Sequence, residues 1–455
     1  MLGTNNLKKI HFIGVGGAGM SGIAEILLNM NYKISGSDNT PSTITKRLEK
    51  IGLDFYDFHS AENLKDVDLV VFSSAIKINN PELVEAEKKG IKIIQRAEML
   101  AFLSELRESI IFAGSHGKTT TTCITAHIFK ENKLDPTYII GGKVSSFESN
   151  AKLGNGKHIL AEADESDGSF LLFSPDKAVV TSIDNDHLAS YKNSFENLVS
   201  AFEDFLKKVK YKTLVHDEVI SLFSNIETEN NIFTYGFNEE SDYQITNYSQ
   251  NDEGSFFHLK DKIKNLTFQF KIKIFGEHNV LNAVAAIILS FDEGIDYKNI
   301  QKSLISFPQV ERRFEIINKN VFLKKIILID DYGHHPTELI NTIKTIKRIW
   351  PEKEMVMAFQ PHRYTRTKAL FQEFIEVLSK VDNLILLEIY SASELPIKNY
   401  SSEDLFREIK KLNKNSTLVN GIDEAFQEFN KFKDEKYIFL TQGAGNTSLL
   451  ASRFK

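Results

Sequence analysis

The segment IIFAGSHGKTTTT, residues 110–122, joins a short apolar run, Ile110–Ala113, to a glycine loop and a row of threonines. A lysine that follows a glycine and precedes a hydroxyl, at the start of a helix after a strand, is typical of phosphate-binding loops. In such loops backbone N–H groups surround the phosphates, the lysine (Lys118) reaches the β- and γ-oxygens, and the hydroxyl (Thr119) can hold Mg²⁺. Phe112 replaces the first glycine of the strict motif, so the prediction of phosphate binding rests on the strand–loop–helix context.

Two acidic clusters follow apolar runs in the same part of the chain. The first is Glu162–Asp167, and the second is Asp184–His187, after a predicted strand at 178–183. Parallel α/β sheets bind ligands at the carboxyl ends of strands, and Mg²⁺ usually takes one or two carboxylates along with substrate phosphates. Glu162 and His187 are therefore candidate metal ligands. The other acids of the first cluster are Asp164, Glu165 and Asp167. The simpler interpretation of these three is that they are solvated loop residues, and we expect this for at least one of them.

An earlier glycine turn follows the apolar segment Lys9–Val15. Gly14, Gly16 and Gly19 satisfy the spacing G-x-G-x-x-G, which permits a tight turn and lets a pyrophosphate approach the backbone at a helix N-terminus. Asp38 ends the next predicted strand, about where an acidic residue would meet a ribose hydroxyl. These residues fit NAD, a UDP-sugar or a tight turn that binds no ligand, and the turn alone does not choose between them.

Two further strand endings bear histidines and arginines. The run at 326–330 ends in DDYGHHP (330–336), and the run at 355–359 ends in QPHRYTRT (360–367). Arginine pairs planar carboxylates and phosphates bidentately, so these endings predict a site for an anionic group. Half of the chain's 12 histidines lie in its sequence motifs. This clustering argues against the interpretation that each is an unrelated core or surface residue. These histidines are His116, His187, His278, His334, His335 and His362.

Short β-branched runs alternate with helical patterns along the 455 residues, as in parallel α/β proteins. The pattern restarts twice, and we expect three domains at 1–106, 107–308 and 309–455. Residues 207–273 are polar and rich in Lys and Asn, and we expect irregular strands and connections there. The predicted fold class is α/β throughout, with Rossmann-like first and third domains and a central domain of the P-loop ATPase type.

Composition argues against several classes of protein. The net charge is 55 − 61 = −6 with the charges interleaved, which disfavours a nucleic-acid partner. The apolar stretch 10–28 is interrupted by glycines and by His11, Ser21 and Glu25, so it predicts neither a signal peptide nor a membrane span. Cys123 is the single cysteine and cannot form an intrachain disulfide. We therefore expect a cytoplasmic protein without membrane insertion.

Taken together, the motifs resemble those of the Mur ligase family over essentially the whole chain except about 207–273. A series of motifs in family-like order and spacing is far more specific than any one glycine loop. The segments that carry the resemblance are GVGGAGMSGIAE (14–25), SSAI (73–76), NPE (80–82), RAEML (96–100), GSHGKTTTT (114–122), EADESDGSF (162–170), GEHNVLNAVAA (276–286), ERRFE (311–315), DDYGHHPTE (330–338), FQPHRYTRT (359–367) and QGAGN (442–446).

The resemblance implies an ATP-dependent ligase that uses Mg²⁺ or Mn²⁺. Within the family, EADESDGSF and SIDNDH (182–187) favour the addition of L-alanine to the lactyl carboxylate of UDP-N-acetylmuramate through an acyl phosphate, the first amino-acid addition in peptidoglycan precursor synthesis. The family alternative is a recycling ligase that adds a whole tripeptide to UDP-muramate. Outside the family, a nicotinamide-linked oxidoreductase leaves residues 114–122 unexplained, and a non-catalytic regulator would bind ATP without releasing phosphate.

The resemblance also implies roles for individual residues. The catalytic residues are Lys118, Glu162, His187 and His334, the last a candidate acceptor of the amine proton. The metal ligands are Thr119, Glu162 and His187. The ATP contacts are Gly114, Ser115, His116, Gly117, Lys118, Thr119, Thr120, Asn279, Asn282, Arg313 (or Arg312) and Asp331. The UDP-sugar contacts are Gly16, Gly17, Ala18, Gly19, Met20, Ser21, Asp38, Ser73 and Ser74. The L-alanine contacts are His362 and Arg366, on the carboxylate, and Tyr332, which limits the side-chain pocket.

Overall fold

The computed structural model describes residues 9–73, 75–141, 149–185, 188–224, 231–308 and 310–454. These residues form two compact units. Unit 1 comprises the described residues up to Tyr248 together with 257–271 and 281–308, and unit 2 comprises 249–256, 272–280 and the described residues from Val310 onward. Three separate sheets, each packed with helices, confirm the predicted α/β class.

The first sheet lies in unit 1 and follows the Lys9–Ile13 strand. Its strands are β1 (Lys9–Ile13), β2 (Lys33–Ser37), β3 (Asp54–Tyr56), β4 (Leu69–Phe72) and β5 (Lys92–Gln95), with helices α1 (Ala18–Asn29), α2 (Thr43–Lys50), α3 (Pro81–Lys88) and α4 (Arg96–Ser104). The order among these strands is β3-β2-β1-β4-β5, and all their pairings are parallel. The glycine turn therefore follows the central strand, where chain order reverses and ligands usually bind.

The second sheet is built around the phosphate-loop strand. Its strands are β6 (Glu108–Ala113), β7 (Thr137–Ile139), β8 (Ala151–Lys152), β9 (His158–Glu162), β10 (Lys177–Val180), β11 (Lys212–His216), β12 (Ile232–Gly236), β13 (Tyr243–Asn251), β14 (Gly254–Asp261) and β15 (Leu266–Ile272), and its helices are α5 (Lys118–Glu131), α6 (Phe195–Leu206), α7 (Asp217–Ile220), α8 (Glu277–Asp292) and α9 (Tyr297–Ser306). The order is β15-β14-β13-β12-β11-β10-β6-β9-β7-β8. Strands β9 and β10 both pair parallel with β6, so their carboxyl ends meet at one edge.

Two sequence expectations about this sheet were wrong in detail. Strands β13, β14 and β15 are regular, with seven to nine residues each, where irregular structure was expected. Most of the Lys and Asn residues of 207–273 that suggested irregularity lie outside these three strands, and Asn247, Asn251 and Lys260 occupy exposed positions within them. The strand expected at 178–183 ends at Val180, and the side chains of Thr181 and Ser182, which follow it, bond to the glycine loop.

The third sheet lies in unit 2. Its strands are β16 (Glu315–Val321), β17 (Ile326–Asp331), β18 (Glu354–Phe359), β19 (Asn383–Leu387), β20 (Ser416–Val419) and β21 (Tyr437–Gln442), and its helices are α10 (Pro336–Ile349), α11 (Tyr364–Ala369), α12 (Phe371–Leu378), α13 (Ser402–Leu412), α14 (Ile422–Phe429) and α15 (Thr447–Ser452). The order is β16-β17-β21-β18-β19-β20, with β16 antiparallel. Strand β21 separates β17 from β18, so the two histidine-bearing endings flank the loop after β21.

Burial explains why the phosphate-loop strand is central. Strand β6 is buried on both faces after Glu108, as expected for an interior parallel strand. Helix α5 is buried from Thr120 to Phe129, and the hydroxyls of Thr121, Thr122 and Thr125 are satisfied inside the protein by donating to carbonyls one turn earlier. The helix and its preceding loop are therefore held rigidly at the edge where the candidate active site lies.

Candidate active site

The glycines of the phosphate loop are required by its geometry. Gly114 and Gly117 have φ angles of 129° and 89°, which side-chain-bearing residues rarely adopt. A Cβ atom on Gly114 would lie 2.5 Å from Thr181 Oγ1 and 2.7 Å from the Ser182 carbonyl, and one on Gly117 would collide with Asn282. Any larger residue would therefore push the loop away from the edge of the sheet.

The loop is fastened to the end of β10 by hydrogen bonds. Ser115 N–H donates to the Ser182 carbonyl (3.0 Å), and His116 N–H donates to Ser182 Oγ (2.8 Å). Asp184 N–H donates in turn to Ser115 Oγ (2.9 Å), and the Asp184 carboxylate lies 3.2 Å from His116 Nε2. With these backbone groups occupied, the N–H groups at the start of α5 remain as the donors that an anion would meet.

Lys118 makes an ion pair with a buried carboxylate, which the sequence interpretation missed. Its Nζ lies 2.6 Å from Glu165 Oε2 and also donates to the Gly114 carbonyl. Burial alone would lower the pKa of Lys118, but the carboxylates of Glu165 and Asp164 outweigh it and raise that pKa above its ordinary value. Glu165 is 3% exposed, so the solvated interpretation does not apply to it. The available signal was its position in an acidic cluster at a strand end.

Thr119 and Glu162 form the predicted metal-binding pair. Thr119 Oγ1 donates to Glu162 Oε2 (2.8 Å), and Gly141 N–H donates to Glu162 Oε1 (2.7 Å). An octahedral Mg²⁺ ion with bonds of 2.0–2.1 Å places adjacent ligand oxygens about 2.9 Å apart, so these two oxygens fit neighbouring positions. The third predicted ligand, His187, lies outside the described residues, and its role stays a prediction.

Thr120 and Asn282 lie behind the phosphate loop. Thr120 is buried in the first turn of α5. Asn282, from α8, accepts a hydrogen bond from Thr121 Oγ1 (3.1 Å), and Thr121 also donates to the Gly117 carbonyl (2.9 Å). The structure thus places Asn282 where it supports the glycine loop, which is compatible with its predicted role beside the nucleotide.

The first glycine turn is contacted by an acidic side chain. Gly16 N–H donates to Asp38 Oδ2 (3.0 Å), so the acidic residue expected to meet a ribose hydroxyl also closes the turn. Helix α1 begins at Ala18 after Gly17, and no side chain caps its first turn. A pyrophosphate would therefore meet the backbone of Gly17–Gly19.

The remaining predicted contacts of the UDP-sugar differ in accessibility. Met20 and Ser21 are buried, and Ser21 already donates its N–H to the Gly17 carbonyl (2.8 Å) and its hydroxyl to the Ala18 carbonyl (3.0 Å). Ser73 lies beside Gly14 and donates its N–H to the Ile13 carbonyl (3.3 Å). Ser74 lies outside the described residues.

Unit 2 contains a row of four aromatic rings at the ends of β17 and β18. Ring centroids are 5.6 Å apart for Tyr332 and His334, 5.6 Å for His334 and His362, and 5.5 Å for His362 and Tyr390. The last pair is stacked at 8°, and a backbone bridge joins its two residues. Tyr390 was not predicted, because nothing near it in sequence resembles a binding motif.

Arg366 lies against this row. It is 8% exposed, and its Nη1 donates to His362 Nδ1 (3.2 Å). Burial, followed by the neighbouring Arg366 cation, lowers the pKa of His362 to about 4, and burial with the same cation lowers the pKa of His334 to about 4. The structure therefore brings together the three residues predicted to contact the amino acid, with neutral imidazoles near pH 7.

The two arginines at 312 and 313 are separable in the structure. Arg312 is held by Asp330 (3.0 Å), Thr447 (3.0 Å) and the Gly443 carbonyl. Arg313 lies 3.8 Å from a Glu338 oxygen, and its guanidinium lies 5.2 Å from the Tyr332 ring centroid. The fixed hydrogen bonds of Arg312 indicate a structural role, which leaves Arg313 as the better candidate for an ATP contact.

Asp331 and Asn279 are both buried in unit 2. Asp331 accepts hydrogen bonds from Phe314 N–H (2.8 Å), Gly333 N–H (2.9 Å) and Gln442 Nε2 (2.8 Å), and burial raises its pKa. Asn279 Nδ2 donates to the Phe275 carbonyl (2.7 Å). Both residues hold neighbouring chain segments in place through these hydrogen bonds. Contact with ATP remains a prediction for each.

Comparison with known families accounts for most of the chain. Residues 9–107 match the model of the Mur ligase family catalytic domain, 112–290 match the Mur ligase middle domain, and 312–445 match the Mur ligase glutamate ligase domain. The chain belongs to the Mur ligase family. Membership in that family confirms the resemblance seen in the sequence motifs.

Individual relatives agree with this assignment. A UDP-N-acetylmuramate–L-alanine ligase of Legionella pneumophila (strain Corby) is 42% identical, with the match covering 98% of this chain and 96% of the relative. The crystal structure of a UDP-N-acetylmuramate–alanine ligase from Thermotoga maritima matches with a TM-score of 0.78 and 31% identity over 98% of each chain. A murein peptide ligase from Psychrobacter arcticus shares the fold, with a TM-score of 0.67 and 20% identity over 98% of each chain. Among the described residues, helices of sufficient length and apolarity to cross a membrane are absent.

Proposed function

We propose that this Mur ligase joins L-alanine to the lactyl carboxylate of UDP-N-acetylmuramate with hydrolysis of ATP to ADP and phosphate. The observation that carries the proposal is the phosphate loop with Lys118 beside the Thr119–Glu162 oxygen pair. It lies in a chain that is similar over nearly its full length to L-alanine ligases. ATP and UDP-sugars are cytoplasmic metabolites, and we place the reaction in the cytoplasm.

The chemistry addresses the poor reactivity of a carboxylate. A carboxylate oxygen attacks the γ-phosphorus of ATP, ADP leaves, and an acyl phosphate results. The alanine amine then attacks the acyl carbon, and phosphate leaves with the electron pair of the broken C–O bond. Lys118 offsets the negative charge that spreads over the transferring phosphoryl oxygens.

The metal would be held by Thr119 and Glu162, with His187 as the predicted third ligand. When bound, Mg²⁺ supplies positive charge to the phosphate oxygens and fixes their orientation. Glu162 is held in place from its other oxygen by Gly141, so its carboxylate needs little rearrangement to accept the ion. Mn²⁺ shares the preference for oxygen ligands and would fit the same pair.

Recognition of L-alanine follows from Arg366 and its ring neighbours. Because His362 Nδ1 accepts from Arg366, the proton of the neutral imidazole lies on Nε2, where it can donate to a carboxylate. Arg366 supplies the planar fork that matches a carboxylate bidentately. Tyr332 would limit the space for the amino-acid side chain. His334, with a pKa of about 4, is neutral near pH 7 and has a lone pair for the proton of the amine.

The tripeptide-adding reaction is the second candidate within the family. It is supported by a shared fold, but the matching murein peptide ligase is 20% identical, against 42–44% for the L-alanine ligases. The nicotinamide-linked interpretation of the first glycine turn has no support once the chain belongs to the Mur ligases.

The test is phosphate release from ATP with UDP-N-acetylmuramate across a panel of amino acids and the L-Ala-γ-D-Glu-diamino-acid tripeptide. L-Alanine should give the highest kcat/KM, and omission of the UDP-sugar should abolish release. A preference for the tripeptide would replace this proposal with the recycling reaction. Binding of ATP with no release under any condition would instead support a regulator.

A further inference from the structure

Arg96 lies beside the glycine turn of the first sheet. Its motif, RAEML (96–100), carries the family resemblance, but the proposed reaction gives Arg96 no role. It is the first residue of α4, directly after β5. A Cβ atom on Gly19 would lie 3.0 Å from Arg96 Nη1 and 3.2 Å from Arg96 Cδ. Gly19 has an ordinary helical backbone, and its lack of a side chain lets the Arg96 guanidinium approach the first turn of α1 closely.

The Arg96 guanidinium adds positive charge beside the start of α1. The N-terminal turn of a helix carries partial positive charge, and Arg96 is close to the start of α1 as well as at the start of its own helix. The first turn of α1 contains no acidic residue and no side-chain cap. Within the described part of the chain, the Arg96 side chain donates no hydrogen bond and forms no ion pair within 4.0 Å. The start of α1 and the Arg96 guanidinium therefore present positive potential to the same point, whereas the first turn of α4 carries its own acidic residue, Glu98.

Arg96 also faces the phosphoryl-transfer residues of the second sheet. Helix α4, which begins at Arg96, packs against β9, and β9 ends at Glu162, the partner of Thr119. The opposite side of the glycine turn is closed by Asp38, at the end of β2. Strands β2 and β4 flank β1 on opposite sides, with β5 beyond β4. A ligand whose ribose lies toward Asp38 would therefore extend toward Arg96 and then toward Lys118.

We infer that Arg96 binds the sugar-side phosphate of the UDP-N-acetylmuramate pyrophosphate. The inference rests on the proposed function and adds a specificity-determining residue to it. A planar guanidinium can pair two phosphate oxygens at once, which fixes the direction in which the sugar leaves the pyrophosphate. That direction places the lactyl carboxylate on the side of Lys118. Arg96 thus selects a pyrophosphate-linked sugar and positions its reacting group.

A ladder of ligands tests this assignment by isothermal titration calorimetry. UMP, UDP and UDP-N-acetylmuramate are titrated into the wild type, Arg96→Ala, Arg96→Lys and Lys92→Ala. Lys92 is an exposed residue at the other end of β5, so its variant removes one positive charge without touching the turn. We expect Arg96→Ala to bind UMP like the wild type and to bind UDP and UDP-N-acetylmuramate roughly tenfold to a hundredfold more weakly. Arg96→Lys should be intermediate, because it keeps the charge and loses the planar fork.

Each other outcome has a definite meaning. Unchanged UDP affinity in Arg96→Ala overturns the inference, even if UDP-N-acetylmuramate binds more weakly, because the contact would then be with the sugar or its carboxylate. Equal losses for UMP and UDP overturn it as well, because the contact would be with the uridine-side phosphate. A wild type that binds neither UDP nor UDP-N-acetylmuramate contradicts the proposed function itself.

A second variant covers the case in which Arg96→Ala does not fold. Gly19→Ala adds a methyl group against the guanidinium and should weaken UDP more than UMP, in the same order as Arg96→Ala. In steady-state kinetics, Arg96→Lys should raise KM for UDP-N-acetylmuramate and leave KM for ATP and for L-alanine unchanged. A purely structural role for Arg96 would move all three Michaelis constants together and would refute the assignment.

Discussion

The two glycine turns of unit 1 follow similar strands and open similar helices, but distant residues give them different chemistry. In the turn at 114–119, a lysine is present and carboxylates 43 to 47 residues away pair with it and with the adjacent threonine. In the turn at 14–19, no lysine follows, and the contacts come from Asp38 and Arg96. Local sequence therefore predicts a phosphate site in the turn at 114–119 and leaves the ligand of the turn at 14–19 open, and the difference between them comes from the residues that the fold brings to each.

Among the tests of the difference between the two turns, removal of Lys118 has the largest expected effect. Lys118→Ala should lower kcat by roughly a thousandfold, because it removes the charge that stabilises the transferring phosphoryl group. Binding of UDP-N-acetylmuramate at the other turn should be unchanged by calorimetry. Turnover close to that of the wild type would show that the turn at 114–119 is not the phosphoryl-transfer site.

A change in unit 2 shows whether amino-acid recognition is independent of both turns. Arg366→Lys should raise KM for L-alanine roughly tenfold to a hundredfold, because the planar fork is lost. The Michaelis constants for ATP and UDP-N-acetylmuramate should stay within a factor of about two in the same assays. If all three constants rise together, Arg366 does not recognise the amino acid.

The matching change in the pocket is Tyr332→Ala, which should let larger amino acids compete with alanine. One methylene group in a pocket is worth about 1–3 kcal/mol, so the ratio of kcat/KM for L-alanine to that for L-valine should fall. An unchanged ratio would remove Tyr332 from the pocket.

A substitution at Gly16 tests the first turn without touching the second. A Cβ atom there would lie 2.8 Å from Asp38 Oδ2, so Gly16→Ala should disturb the turn and weaken UDP-N-acetylmuramate binding roughly tenfold. The affinity for ATP should not change. Gly421→Ala is the matched control, because no atom lies within 4 Å of the added Cβ and its φ of 170° is extended backbone. Equal effects of the two variants would contradict a ligand at the first turn.

The smallest expected effect concerns the metal. Glu162→Gln and His187→Ala should each raise the Mg²⁺ or Mn²⁺ concentration needed for half-maximal rate, because each removes a predicted ligand. Asp167→Asn changes an exposed acid of the same cluster and should leave that concentration unaltered. If the metal dependence is the same in all three variants, Glu162 and His187 are structural residues.

Much of the fold could be predicted from the sequence because strand, glycine and helix signals are local. The strands of 207–273 were expected only as irregular ones, because polar Gln, Thr, Ser and Asn residues occupy the partly exposed and exposed positions of β13 and blur its pattern. The candidate site was predictable where a motif placed several groups within a few residues, as in Gly114–Thr119.

The contacts that could not be predicted join residues far apart in the chain. Glu165 pairs with Lys118 across 47 residues, and Tyr390 stacks on His362 from a loop without any recognisable motif. Arg96 belongs to the motif RAEML (96–100), but its position beside Gly19 follows from the packing of α4 against α1 and not from the local sequence. The same local pattern that identifies a phosphate loop says nothing about these partners.

The central claim is that the muramate carboxylate is activated by the γ-phosphoryl group of ATP at the Lys118 loop. The most direct measurement uses UDP-N-acetylmuramate labelled with ¹⁸O in its lactyl carboxylate, together with ATP and L-alanine, and mass analysis of the phosphate released. The account predicts one ¹⁸O atom in each phosphate and one amide product per phosphate. Phosphate without ¹⁸O, formed alongside the amide, would contradict an acyl phosphate and with it the proposed reaction.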